Sequence, residues 1–111
     1  MRRGDIYRVD FEPAVGSEIR KTRPALIVSC DEANRHLRTV TVIPFSSKVD
    51  KVFPFEVSVP KEESGLELDS KLKIPQLRAV DKGCLSRQVG TLNTTLMAAV
   101  DRAIKLHLAI E

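Results

Sequence analysis

The chain has 111 residues, 42% apolar and 30% charged, which suits one globular domain with a single core. No apolar run approaches the 18 residues of a membrane span, and residues 1–5 (Met-Arg-Arg-Gly-Asp) do not open a signal peptide, so cytoplasmic residence is the expectation. A net charge of +3 permits a polyanionic partner without requiring one. Cys30 and Cys84 stand far apart and in no CxxC spacing, which reads as two reduced thiols. With no Trp, one Tyr and four Phe, the core must be largely aliphatic.

Residues 5–11 alternate Ile6, Val9 and Phe11 with polar residues and predict a half-buried strand. Residues 25–30 are a continuous aliphatic run, as for a strand covered on both faces. Residues 31–35 predict one helical turn with Asp31 as its N-cap. Residues 38–45 are strongly β-branched and predict a third strand. A polar loop, 46–52, precedes a fourth strand over 53–59, with Phe53, Phe55, Val57 and Val59 on one face. The acidic stretch 60–70, holding Ser64-Gly65, reads as an exposed connection. Residues 71–74 and 76–80 predict a strand pair, or one strand bent at Pro75. At the C-terminus Leu92, Leu96, Val100, Ala103, Ile104, His107 and Leu108 recur at three- and four-residue steps. They predict an amphipathic helix capped by Asn93 or Thr94. Short strands followed by a terminal helix suggest a small antiparallel barrel with helices outside it.

The chemistry concentrates between the first two strands. Gly16, Ser17, Glu18, Arg20, Lys21 and Arg23 put a carboxylate, three cations and a flexible glycine in one short connection, a composition suited to holding a phosphate. Pro24 restrains the backbone of Arg23 toward extended geometry, and the planar guanidinium can bridge two phosphate oxygens. The alternative for Arg23 is a solvated loop side chain. His107 falls on the apolar stripe and His36 beyond the helical turn, so packing and surface roles are expected for them. Neither histidine has ligand spacing with Cys or acidic residues; no metal site and no cofactor are expected.

In order and spacing, several segments resemble the MazF/PemK family of toxin endoribonucleases. They are Arg3-Gly4-Asp5-Ile6-Tyr7 with Val9-Asp10-Phe11, Pro13, Gly16-Ser17-Glu18 and Arg23-Pro24-Ala25-Leu26-Ile27-Val28. Pro54-Phe55-Glu56-Val57, the run from Gln76 to Lys82 and the helix through Val100-Asp101 extend the match over nearly the whole chain. The resemblance implies an α+β fold, a small SH3-like antiparallel β-barrel of the CcdB/PemK type with a C-terminal amphipathic helix. It also implies a homodimer that cuts single-stranded RNA (mRNA) at short motifs without a metal. The implied partner is a MazE-like antitoxin that lays an extended acidic tail over the RNA groove.

Such cleavage requires a base for the ribose 2′-OH, a stabiliser for phosphorane charge and a proton for the departing 5′-oxygen. By resemblance Arg23 is the catalytic arginine. Ser46 stands where the family usually carries a threonine at the scissile phosphate, and Ser47 follows it. Glu18 is either the general base or an orienting partner that holds Arg23 by an ion pair; a close arginine would lower the pKa that a base needs raised. Pro75 replaces an acidic residue to which part of the family assigns acid–base work, leaving that work to Glu18 or to the substrate phosphate. Ser17, Arg20, Lys21, Ser47, Lys73, Gln76 and Arg78 are the expected RNA contacts. Gln76 and Arg78 would share one face if no bulge intervenes.

Overall fold

In the computed structural model, which describes residues 1–111, the alternation around Ile6 and Val9 becomes strand β1 (Asp5–Asp10). β1 pairs antiparallel with β2 (Thr22–Ile27), and β2 pairs in turn with β3 (Thr39–Ser46). The remaining strands are β4 (Glu56–Val59), β5 (Ser70–Lys73), β6 (Arg78–Asp81) and β7 (Leu85–Thr91). Two helices, α1 (Asp31–His36) and α2 (Thr94–Leu108), complete the fold. The sheet runs β4-β5-β3-β2-β1-β7, with β6 on β3 beyond β5. β4 and β7 do not pair with each other, so the barrel-like sheet is not closed.

The aliphatic run after Pro24 is buried on both faces, because alternate residues serve two clusters. Leu26 and Val28 of one parity join Ile6, Ile43, Phe45 and Leu72 beneath α2. Ala25 and Ile27 of the other parity join Val9, Phe11, Val40, Val42 and Val80. Ile19, from the β1–β2 loop, packs on this second cluster. The loop is therefore anchored by its own apolar residue as well as by hydrogen bonds.

Several boundaries differ from expectation. β2 begins three residues earlier, at Thr22, and carries Pro24 opposite Arg8. The ladder between β2 and β3 starts only at Ala25, beyond the proline that lacks an N–H. Cys30, not Asp31, is the N-cap of α1; the Asp31 carboxylate instead accepts from the Arg3 N–H at 2.6 Å. β4 is confined to Glu56–Val59 because its only partner, β5, ends where Lys73 meets Glu56. Phe53 and Phe55 consequently stand outside the strand and are exposed.

Pro75 breaks one long strand in two. β5 pairs with Phe45 and Ser46, β6 with Thr39–Val42 of the same β3 edge, and a 3-10 turn, Ile74–Gln76, separates them. β7 had no signal in its sequence: only Leu85 and Val89 are apolar, and most of its residues are exposed. It forms because it covers the free edge of β1. The terminal helix and its cap are as expected, with the Asn93 side chain accepting from the Leu96 N–H at 2.8 Å, but the last members of the expected stripe, His107 and Leu108, are exposed. Val100 and Ala103 are buried at its centre, and the His107 ring meets Phe55 edge-on at 5.6 Å.

Candidate active site

Arg23 sits near the start of β2 and Ser46 at the end of β3. The β2–β3 ladder ends at Ala25 opposite Pro44, and only its register, continued two residues without pairing, would bring Ser46 opposite Arg23. Residues directly opposite in an antiparallel pair share a face. That face is the one bearing Ala25, Ile27, Val40 and Val42.

The Arg23 Nε donates to the Arg20 carbonyl at 2.9 Å. Its two terminal nitrogens make no protein hydrogen bond or ion pair, so the fork is oriented but unused. Ser46 is 8% exposed, and its Oγ accepts from the Lys48 N–H at 3.2 Å, leaving the hydroxyl proton free to donate. A cleft of about 630 Å3 opens beside this end of the sheet. Arg8, Lys21, Arg23 and Arg87 bring four cations to it against the single carboxylate of Glu67, and Ser47 lines it as well.

The β1–β2 loop is held by its own polar groups. The Lys21 N–H donates to the Glu12 carboxylate at 2.9 Å and the Phe11 N–H to the Lys21 carbonyl at 3.0 Å. Lys21 itself adopts a left-handed backbone, φ 68°. Arg20 donates to the Ala14 carbonyl at 2.9 Å and lies 4.0 Å from Glu12, so it staples the loop. The carboxylate of Glu18 accepts from the Val15 N–H at 2.7 Å, while the Glu18 N–H donates to the Val15 carbonyl at 3.1 Å. The expected ion pair between Glu18 and Arg23 is not formed. Glu18 is occupied by its own turn, and a main-chain carbonyl orients Arg23 in its place.

Gln76 and Arg78 do not share a strand face, because the 3-10 turn at Pro75 intervenes. Gln76 lies outside the strands and grips the loop from below: its Oε1 accepts from the Ile19 N–H at 3.2 Å and its Nε2 donates to the Ser17 carbonyl at 3.4 Å. Ser17 is exposed on that loop. The Arg78 guanidinium lies 5.8 Å from the Phe11 ring centroid, and its Nη1 is buried without a partner. Lys73 is half-buried opposite Glu56. No three His, Cys, Asp or Glu side chains gather to offer a metal a ligand set.

Sequence reasoning passed over Lys71 and Glu56. Lys71 pairs with Ser46 across the β3–β5 ladder and therefore lies on the same face as Ser46. Its ammonium meets Glu56 at 2.9 Å, with the two side chains only 7% and 6% exposed. Burial pushes the Glu56 carboxyl up, but the hydrogen bonds from Phe53 and Lys71 and the charges of Lys71 and Lys73 together hold it below its ordinary 4.5. Two adjacent strands carrying opposite charge were the available signal. Using it needed the register, which only the folded ladder supplies. Arg8 and Arg87 were missed for the same reason, since neither falls in the phosphate-binding loop.

Comparison with known proteins matches residues 2–108 to the model of the PemK-like, MazF-like toxins of type II toxin–antitoxin systems. Endoribonuclease MazF9 of Mycobacterium tuberculosis is 40% identical over 113 residues, covering 97% of this chain and 96% of that protein. Endoribonuclease EndoA of Bacillus subtilis is 33% identical over 111 residues, covering 99% and 96%. The fold is that of the MazF crystal structure from Deinococcus radiodurans, with a TM-score of 0.86 at 23% identity over 98% of this chain and 96% of that one. Matched from residue 2 to residue 108, the chain belongs to the PemK-like, MazF-like toxin family.

Proposed function

We propose that this protein is the endoribonuclease toxin of a toxin–antitoxin pair, and that it cuts single-stranded RNA by setting the ribose 2′-hydroxyl on the adjacent phosphorus. The observation that carries this reading is Arg23: one guanidinium nitrogen is fixed on a backbone carbonyl and two are unclaimed, at a cleft lined by three further cations and Ser47. The 2′-oxygen forms a bond to phosphorus and the bond to the 5′-oxygen breaks, giving a 2′,3′-cyclic phosphate and a 5′-hydroxyl. The Arg23 fork and the Ser46 O–H take up the negative charge that grows on the non-bridging oxygens. The free oxygen of the Glu18 carboxylate is the base that this loop offers to the 2′-proton, and water at the open cleft supplies the proton to the leaving oxygen. The nucleophile belongs to the substrate, so no metal-activated water is required.

RNA enters along the cations of the cleft, with Lys21 and Ser47 at its wall. Gln76, Ser17 and Arg20 act by shaping the loop, while Arg78 and Lys73 set charge beneath it. The protein works as a homodimer, and an extended acidic antitoxin tail silences it by lying on the same cations. The charge of the cleft and the exposed Leu106, Leu108 and Ile110 near the end of α2 support these two surfaces.

The test is Arg23→Ala. It should fold as the parent does yet cleave RNA about 10²–10³-fold more slowly, the loss typical of one transition-state donor. An RNA with 2′-deoxyribose at the cut position should bind and survive intact. Wild-type cutting by the variant would remove the mechanism, and cleavage of the deoxy substrate would mean a water nucleophile.

A further inference from the structure

Residues 47–55 leave the site at Ser46 and return at Glu56 without forming helix or strand. Three side chains tie this segment. The Lys48 N–H donates to Ser46 Oγ at 3.2 Å. The Lys71 ammonium donates to the Lys51 carbonyl at 2.7 Å and to the Glu56 carboxylate at 2.9 Å. The Phe53 N–H donates to the same Glu56 oxygen at 2.9 Å, and the Phe53 ring lies 5.4 Å from the ammonium. The one backbone bond involving the segment runs from the Glu56 N–H to the Phe53 carbonyl. Beyond the first residues, then, what holds the segment is the Lys71–Glu56 pair.

A buried ion pair is weak evidence for stability, because apolar residues of similar volume often serve as well. Its placement here has another consequence. Lys71 is the ladder partner of Ser46, so one residue touches both ends of the arc: its backbone pairs with the strand residue that carries the hydroxyl, and its ammonium pins the chain five residues later. We infer that Lys71 and Glu56 are positioning residues for RNA cleavage, fixing residues 47–55 so that the Ser46 hydroxyl and Ser47 face the scissile phosphate. The inference rests on the ribonuclease reading above. Lys71 does not reach substrate; its ammonium is occupied by the Glu56 carboxylate, the Lys51 carbonyl and the Phe53 ring.

The experiment uses the double variant Lys71→Met/Glu56→Gln in the full chain. It removes both charges together, so no unpaired ion is left buried, and the new side-chain amide at position 56 still offers an acceptor to the Phe53 N–H. Amide hydrogen exchange over residues 47–55, thermal unfolding, and kcat and KM on a single-stranded RNA are measured beside the parent. Exchange in the segment should quicken at least tenfold while the unfolding midpoint stays within a few degrees. In addition, kcat should fall at least tenfold with KM changed less than threefold. Unchanged exchange would overturn the tie. Quickened exchange with parental kcat, or a loss confined to KM, would overturn the positioning role. A parent that leaves RNA intact would defeat the ribonuclease reading, and the exchange comparison would still decide whether the pair holds the segment.

Discussion

A guanidinium bonded through Nε to the Arg20 carbonyl gives up part of its rotational freedom before substrate arrives, and keeps both terminal nitrogens for a phosphate. Glu18 is bonded within its own turn rather than to Arg23. A buried ion pair lies instead at Glu56. Its folded pKa is below the ordinary 4.5, so protonation opposes folding. The pair's contribution is fully present above that value and is lost as pH falls through the depressed pKa. Urea midpoints followed by circular dichroism should therefore decline as pH falls below the ordinary carboxylate range. Glu56→Gln should begin from a lower midpoint and lose less over the same range. An identical decline in both proteins would show that other carboxylates carry the acid sensitivity. Charge type was readable at both positions. What each charge faces was not, because Arg23 reaches the cleft, and Glu56 meets Lys71, only once the strands pair.

Among the elements, β7 shows most clearly what local pattern leaves out. Its residues neither alternate nor form an apolar run, and it exists because β1 presents an edge on one side while the Ser64–Gly65 turn crowds it on the other. A Cβ placed on Gly90 would lie 1.9 Å from the Ser64 carbonyl oxygen, a contact that the backbone on both sides must move to relieve. Gly90→Ala should cost about 1–3 kcal/mol, the range for overpacking a tight site. Thermal unfolding should register this as a fall of roughly 5 °C or more. Gly16→Ala, at φ 58° with no atom within 4 Å of the added methyl, should cost only about 1 kcal/mol through backbone strain. Equal losses in the two would mean that the β7 contact is looser than described. The α2 periodicity and its Asn93 cap were legible because both are local. The 3-10 turn at Pro75 was half legible: the proline signalled a break, but not that both halves would lie on the same edge of β3.

For the molecule as a whole, the modest net charge of +3 conceals an uneven distribution. Four cations line one cleft, while the acidic residues between positions 62 and 69 contribute only Glu67 to its wall. Binding of uncleavable, 2′-deoxy-substituted RNA should accordingly weaken with salt. Three or four phosphate contacts predict a slope of log affinity against log salt of about −2 to −3. Fluorescence anisotropy across a salt series would measure it, and Arg8→Ala/Arg87→Ala should flatten the slope by about 1 or more. A flat salt response in the parent would move RNA away from this cleft.

Alone, the sequence determined what depends on near neighbours and residue type: the central aliphatic strands, the terminal helix with its cap, the polar loop before Arg23-Pro24, and the family through motif spacing. The tertiary structure decided what depends on register. It brought Arg8, Arg23 and Arg87 to one cleft and buried Lys71 against Glu56. It also turned Gln76 from an expected substrate group into a support of the loop and drew one oxygen of the Glu18 carboxylate into its own turn. The physical reason is that side chains alternate along a strand, so a one-residue slip in pairing sends each to the opposite face. That choice is made by long-range packing of two apolar clusters rather than by any segment read alone.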